Sequence, residues 1–412
     1  MRVKQILLVL IMAISGGNVF ADLKGPNWQY FSKLNKAGFI MLDNKQTLLQ
    51  AKNQQQFYVP ASTTKLITAL LAIEHWGLGH RFHTDFYLRQ NTEGLPVLVV
   101  KGYGDPYLVS EELIIISKAI KSALQQKGIS KLAGIEIDDS YYAQHLKMPG
   151  TSASLNPYDA IPSAIAANFN TIYARKKGNQ VFSAEKQSPM VAVGEKIVRK
   201  SVLFKQKKSG QKFRINLGED TQQAQQYFAE LLAAFLAKQG VSTMNKVGWS
   251  KVLPTDQALI QHVNSRNLAD IIKPMMKYST NFIANQLALN LSVELQGVPA
   301  DEKKVKQTYT QLLKSRFAWQ DFLIEDGAGL SRKNRLAPHQ LIDVLQAFKP
   351  WIKLLPEVER HVYAKSGTLI GVSTLAGYID SNGQLYPFAL MINEKVPYRF
   401  RNKLAREIAK NY

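Results

Sequence analysis

Hydrophobic positions along this chain repeat with two periods, and the switches between them outline its elements. Residues 37–42 form one apolar run and residues 47–50 a shorter one, with the polar Asp43-Asn44-Lys45-Gln46 between them as a turn, so the pattern predicts a β-hairpin. From Ser62 to about Trp76 the period changes. Leu66, Ile67, Ala69, Leu70 and Ile73 put apolar groups on most sides of a helix, which predicts burial, and Gly77 and Gly79 end it. Strands follow at 82–88 and 95–100 around Asn91-Thr92-Glu93-Gly94, then a helix over 111–126 and a strand over 134–137.

The middle of the chain is less regular. Residues 151–162 are rich in Ser, Asn and Pro, and residues 176–211 are polar and basic with short possible strands. The texture of 81–220 reads as an inserted region of one or two subdomains, splitting a larger domain into residues 22–80 and 221–412. An amphipathic helix over 221–240, carrying Tyr227, Leu231, Leu232, Phe235 and Leu236, marks the expected resumption of the first domain. Helices over 267–277 and 282–295 flank Tyr278-Ser279-Thr280-Asn281, and Pro274 is expected to kink or shorten the first. Strands at 362–366, 374–379 and 386–392 precede a basic amphipathic helix over 399–410, whose Phe400, Leu404 and Ile408 are expected to pack on the sheet.

Composition narrows the functional classes. At 412 residues with 46% hydrophobic and 20% charged positions, the chain is globular and long enough for more than one domain. Residues 1–21 read as a secretory signal peptide: basic Arg2 and Lys4, an apolar run over 6–14, and Val19-Phe20-Ala21 before Asp22. This predicts an exported, periplasmic protein. With no cysteine, disulfides, thiolate metal sites and a cysteine nucleophile are excluded. The net charge of +21, or +19 without Arg2 and Lys4, favours weak contact with anionic envelope surfaces rather than nucleic acid. Seven histidines without H-E-x-x-H spacing, and no G-x-S-x-G, leave metallopeptidase and α/β-hydrolase chemistry without support. Neither a metal nor a cofactor is expected. Gly102-Tyr103-Gly104 lacks the third glycine of a dinucleotide loop, since Tyr107 stands there, and reads as a turn.

The candidate chemistry begins at Ser62. Helical spacing puts Ser62 and Lys65 on one face, where a lysine amine can reach the hydroxyl of a serine nucleophile. S-x-x-K, S-x-N and K-S/T-G together are the signature of penicillin-recognising serine enzymes, but each alone is weak. S-x-x-K recurs at Ser183 with Lys186 and at Ser209 with Lys212, and S-x-N at Ser154 with Asn156 and at Ser265 with Asn267. Context chooses among them. Ser183 and Ser209 lie in polar, turn-like stretches, Ser265 and Asn267 read as a helix N-cap, and Lys208-Ser209-Gly210 belongs to a solvated basic run. Ser62 starts a buried helix, Ser279 and Asn281 occupy a break between two helices, and Lys365-Ser366-Gly367-Thr368 lies on a predicted strand.

With these motifs in this order, the chain resembles low-molecular-mass penicillin-binding proteins of the D-alanyl-D-alanine carboxypeptidase/endopeptidase (DacB) type. The resemblance extends to Gly102-x-Gly104-Asp105-Pro106, to Asp326-Gly327-Ala328-Gly329-Leu330-Ser331-Arg332 and to Leu375-Ala376-Gly377-Tyr378. It implies an α/β (α+β) fold, a β-lactamase/transpeptidase-like domain with an antiparallel sheet flanked by helices, split by a β-rich insertion. It also implies roles: Ser62 as nucleophile, Lys65 as base, Ser279 relaying the proton, and Asn281 holding Lys65 and the substrate amide. Lys365, Ser366 and Thr368 would bind the terminal carboxylate, the amides of Ser62 and Thr368 would form the oxyanion hole, and Arg332 would contact a carboxylate on the peptide stem. Peptidoglycan stem peptides are the implied substrate and β-lactams the implied inhibitors. One departure is Asn168, at a position where some relatives carry an acidic residue facing the substrate amine. The rival readings on the same fold are a serine β-lactamase and a non-catalytic envelope-binding protein.

Overall fold

The computed structural model describes residues 23–244 and 246–412, so the predicted signal peptide lies outside the described residues. A six-stranded antiparallel sheet carries the first unit. Its order is Glu357–Glu359, Val362–Leu369, Val372–Ser381, Gln384–Ile392, Ala37–Leu42 and Leu48–Lys52. The predicted hairpin and the three terminal strands thus join in one sheet, since Ala37–Leu42 pairs with Gln384–Ile392 through Phe39 and Leu390. Side chains alternate between its two buried faces. Phe39, Met41, Phe388 and Leu390 meet the helices Pro26–Ser32 and Phe400–Ala409 on one face, while Ile40, Leu42, Ala389 and Met391 meet the helices of the other. As expected, Phe400, Leu404 and Ile408 are buried in this packing.

The second face carries Thr64–Trp76, Leu268–Tyr278, Asn281–Gln296, Glu302–Phe317 and Pro338–Phe348. The helix Leu268–Tyr278 runs through Pro274 without shortening. The amide that proline lacks would have bonded to the carbonyl of Asp270, an exposed residue near the helix start, where water can take its place. Asn267 caps this helix in a reciprocal box with Asp270, so the Ser265–Asn267 pair is structural, as its sequence context implied.

The inserted region has its own core. A five-stranded sheet runs in the order Val247–Trp249, Gly134–Asp138, Pro96–Gly102, His83–Gln90 and Ala258–Val263, and a three-stranded sheet joins Gln180–Ser183, Thr171–Lys177 and Lys212–Asn216. One hydrophobic cluster serves both sheets and the helices Ser110–Gln125, Ala192–Lys200 and Thr221–Lys238. This moves a predicted boundary. Tyr227, Leu231, Leu232, Phe235 and Leu236 belong to the inserted core, and the strand Ala258–Val263 pairs with His83–Gln90. The chain therefore re-enters the first unit at about residue 264, not 221; an amphipathic helix states that it covers a core, not which one. The exit and return run side by side, with Asn264 N donating to Phe82 O at 2.8 Å and Leu268 N to His80 O at 2.8 Å.

Candidate active site

Ser62 sits on a single 3-10 turn, Ala61–Thr63, that feeds the helix Thr64–Trp76, so the α-helix begins two residues after the expected start at Ser62. The turn is fixed from three sides. Thr63 Oγ1 and Thr374 Oγ1 both donate to Pro60 O, at 2.7 and 2.8 Å, and Thr64 Oγ1 donates to Ala61 O at 2.9 Å. Ala61 is held with φ at 48°, in the left-handed region. Two glycines let neighbouring backbone approach this turn: a Cβ on Gly329 would stand 1.9 Å from Ala61 O, and one on Gly367 would stand 2.8 Å from Ser62 N. The strand Val362–Leu369 therefore abuts the Ser62 turn directly.

Lys65 is fully buried, and its Nζ has three neighbours: Ser62 Oγ at 3.0 Å, Asn281 Oδ1 at 2.7 Å and Ala328 O at 2.7 Å. Burial, and after it the charge of Lys365, hold the Lys65 amine well below the usual lysine range, with Asp326 opposing. Asp326 also shapes the loop that presents Ala328 O. Its Oδ1 accepts from the amides of Ala328, Gly329 and Leu330 at 2.9, 2.6 and 2.9 Å, and its Oδ2 from Ser331 N at 2.9 Å and Asn334 Nδ2 at 2.8 Å. Sequence reasoning gave Asp326 no role of its own.

Asn281 begins the helix Asn281–Gln296 and bridges the two units, because its Nδ2 donates to Tyr158 O, in the inserted region, at 3.0 Å. Gln286 and Asn290 continue the seam, donating to Ser163 O at 3.0 Å and Gly104 O at 2.9 Å. The amides spaced along this helix thus hold the insertion over the cleft. Ser279 terminates the preceding helix in the left-handed region, half-buried, its hydroxyl bonded to no described residue. It lines a cleft of about 530 Å³ with Tyr158, Phe169, Arg214, Asn281 and Phe282.

At the other end, Lys365 is buried with its Nζ donating to Ser366 O at 2.6 Å. Burial, and next the charge of Arg401, push its amine down to about 7. Arg401 Nη1 donates to Gly367 O at 2.5 Å and to Thr368 Oγ1 at 2.6 Å. This arginine was legible only as part of a basic helix expected to pack on the sheet. Arg332 is exposed at the rim, donating to Ile370 O at 2.8 Å. Asn168 does not face the cleft. Its Oδ1 accepts from Ser110 N at 2.8 Å inside the inserted core, and the next residue, Phe169, lines the cleft instead.

Ser62, Lys65 and Asn281 are thus in contact, Ser279 and the Lys365–Thr368 strand flank them, and Arg332 stands apart at the edge. A buried amine of lowered basicity beside a serine hydroxyl, with the strand that carries Lys365 abutting the serine turn, suits acyl transfer from a substrate that ends in a carboxylate. Fold and site together define a serine D-Ala-D-Ala peptidase of the penicillin-binding type. Residues 32–411 match the model of the D-Ala-D-Ala carboxypeptidase 3 (S13) family, and the chain belongs to that family. It is 24% identical, over 87% of its length and 85% of the relative's, to D-alanyl-D-alanine carboxypeptidase DacB of Haemophilus influenzae. The crystal structure of penicillin-binding protein 4 (dacB) from that organism superposes with a TM-score of 0.73 at 21% identity, covering 94% of this chain and all of the other. Its complex with a β-lactam superposes with a TM-score of 0.68 at 21% identity, covering 93% and 98% of the two chains.

Proposed function

We propose that Ser62 is the nucleophile of this DD-peptidase and Lys65 its base, acting on peptidoglycan stem peptides in the periplasm. The observation that carries this reading is the 3.0 Å separation of Lys65 Nζ from Ser62 Oγ, while the other two neighbours of that nitrogen are carbonyl oxygens. A neutral amine has two N–H bonds and one lone pair. Giving the N–H bonds to Asn281 and Ala328 turns the lone pair toward the serine hydroxyl.

The proton passes from Ser62 Oγ to Lys65 Nζ as the oxygen bonds to the carbonyl carbon of the penultimate D-alanine. The C–N bond then breaks, the leaving amine takes its proton by way of Ser279, and the acyl group stays on Ser62 as an ester that water hydrolyses. The amides of Ser62 and Thr368 receive the negative charge that develops on the carbonyl oxygen, a role supported by the close approach of Gly367 to Ser62 N. Lys365, Ser366 and Thr368 hold the terminal carboxylate, and Arg332 reads a carboxylate of the stem at the rim. The β-lactam complex of the Haemophilus protein supports the companion proposal that penicillin acylates Ser62 here.

Mass spectrometry of defined muropeptides tests the reading. Loss of one D-alanine from a pentapeptide, and scission of a D-alanyl cross-link in a dimer, are expected with wild type and absent with Ser62→Ala. Unchanged muropeptides with wild type, or equal turnover by Ser62→Ala, would overturn it.

A further inference from the structure

A second cavity, of about 380 Å³, belongs to the inserted region and shares no lining residue with the serine cleft. It is framed by the starts of the helices Ala192–Lys200 and Thr221–Lys238 and by Val247–Trp249, the edge strand of the five-stranded sheet. Its volume falls within the range of small-ligand sites, about 300–1,000 Å³.

Trp249 is its aromatic wall. The indole Nε1 donates to Gln225 Oε1 at 2.5 Å, and Gln225, fully buried, donates in turn to Asp139 Oδ2 at 2.9 Å. The polar edge of the indole is therefore satisfied by the protein and the ring is fixed, yet Trp249 stays 43% exposed. An exposed ring alone says little; its neighbours make it specific. Glu230 is oriented by Val193 N and by Gln226 Nε2, both at 2.8 Å. The side-chain amides of Gln222 and Gln223 line the same cavity and bond to no described residue, while their backbone amides are held by Asp220 Oδ1. One fixed apolar ring beside an oriented carboxylate and two free carboxamides suits a pyranose, which offers a face of C–H groups and a rim of hydroxyls.

Charge narrows the ligand. Lys196 is the cavity's cation and Asp220 and Glu230 its carboxylates, so the site does not share the basic balance of a chain with net charge +21. Phosphates and acidic polymers have no net attraction to it, and a neutral saccharide does not need one.

We propose that this cavity binds the N-acetylated glycan strand of peptidoglycan, with one sugar ring lying on Trp249 and with Gln222 and Gln223 meeting its acetamide and hydroxyls. The choice of glycan rests on the peptidoglycan reading given above. A strand held here keeps its own stem peptides close to the serine cleft of the same molecule and raises their effective concentration.

Calorimetric titration of the full-length protein with the β-1,4-linked tetramer of N-acetylglucosamine, which carries no peptide, reads this site without Ser62. Wild type is expected to bind with a Kd of roughly 1 mM or tighter, equally well at low and high salt because the tetramer is uncharged. Trp249→Ala is expected to weaken binding about tenfold or more, the size of one lost stacking contact. Gln222→Ala combined with Gln223→Ala, which leaves the ring and the backbone cap in place, is expected to weaken it about fivefold and carries the test if Trp249→Ala does not fold. Cellotetraose, with the same rings and no acetamide, is expected to bind more weakly than the aminosugar. No binding by wild type, wild-type affinity in the folded variants, or equal affinity for cellotetraose would overturn the assignment. A wild type that binds the tetramer but is not labelled by penicillin would overturn the Ser62 reading and leave the saccharide site standing.

Discussion

Lys65 can act as a base only without its proton, and Lys365 can pair with a carboxylate only with one, so the two buried lysines set opposite limbs of the pH profile. Burial and Lys365 lower the basicity of Lys65, so kcat/KM rises with pH as Lys65 loses its proton well below the usual lysine range. Lys365, lowered by burial and next by the charge of Arg401, is held at about 7 in the free protein, so kcat/KM on carboxylate substrates falls as pH climbs past that value. A bound carboxylate raises Lys365 again, so kcat should hold to higher pH than kcat/KM. Initial rates on a D-alanyl-D-alanine peptide across the pH range check this; a kcat/KM that stays flat to pH 10 would contradict it. At this scale the sequence was informative only in combination. Ser62-x-x-Lys65 shares its spacing with two decoys, and Ser209, one of them, accepts a hydrogen bond from Gly178 N in a turn at 3.0 Å. Arg401 could not be found at all, because nothing local says that a helix at the chain's end reaches a strand 33 residues earlier.

Among the elements, the loop that starts at Asp326 decides whether the site is preformed. Five N–H donors converge on that buried carboxylate, and the loop they fix supplies both Ala328 O to Lys65 and Gly329 to the Ser62 turn. Asp326→Ala strands these donors, with an expected loss of more than about 3 kcal/mol of stability. Urea unfolding and penicillin labelling of this variant should show a lower midpoint and a slower reaction together; wild-type values for both would contradict the assignment. The strand and helix periods were legible where one face or both were apolar, as in Ala37–Leu42 and Thr64–Trp76. The helix Glu302–Phe317 escaped because most of its surface is polar and its buried Val305, Thr308, Tyr309 and Leu313 make a thin stripe. Allocation of Thr221–Lys238 failed for a different reason: the partner strands lie far away in the chain, and periodicity carries no address.

For the molecule as a whole, the net charge of +21 and the division of labour between two cores point in the same direction. One core builds the serine site and the other, the inserted region, meets it where Tyr158 O accepts from Asn281 Nδ2, and on the proposed reading the basic charge would draw in an anionic polymer while a single peptide enters the cleft. Retention on anionic cell-wall sacculi should therefore weaken steeply as salt rises past ~0.1 M, where charges are screened over about 10 Å, while turnover of a soluble peptide changes little. Co-sedimentation with sacculi at graded salt checks it, and salt-independent retention would contradict it. No helix among the described residues is long and apolar enough to cross a membrane.

The central claim is a covalent bond to one named oxygen. Intact-mass measurement after brief exposure to benzylpenicillin, followed by peptide mapping, tests it most directly. Wild type should gain one penicilloyl group, carried on Ser62, and folded Ser62→Ala should gain none; an unmodified wild type, or an adduct of equal yield on Ser62→Ala, would contradict the account.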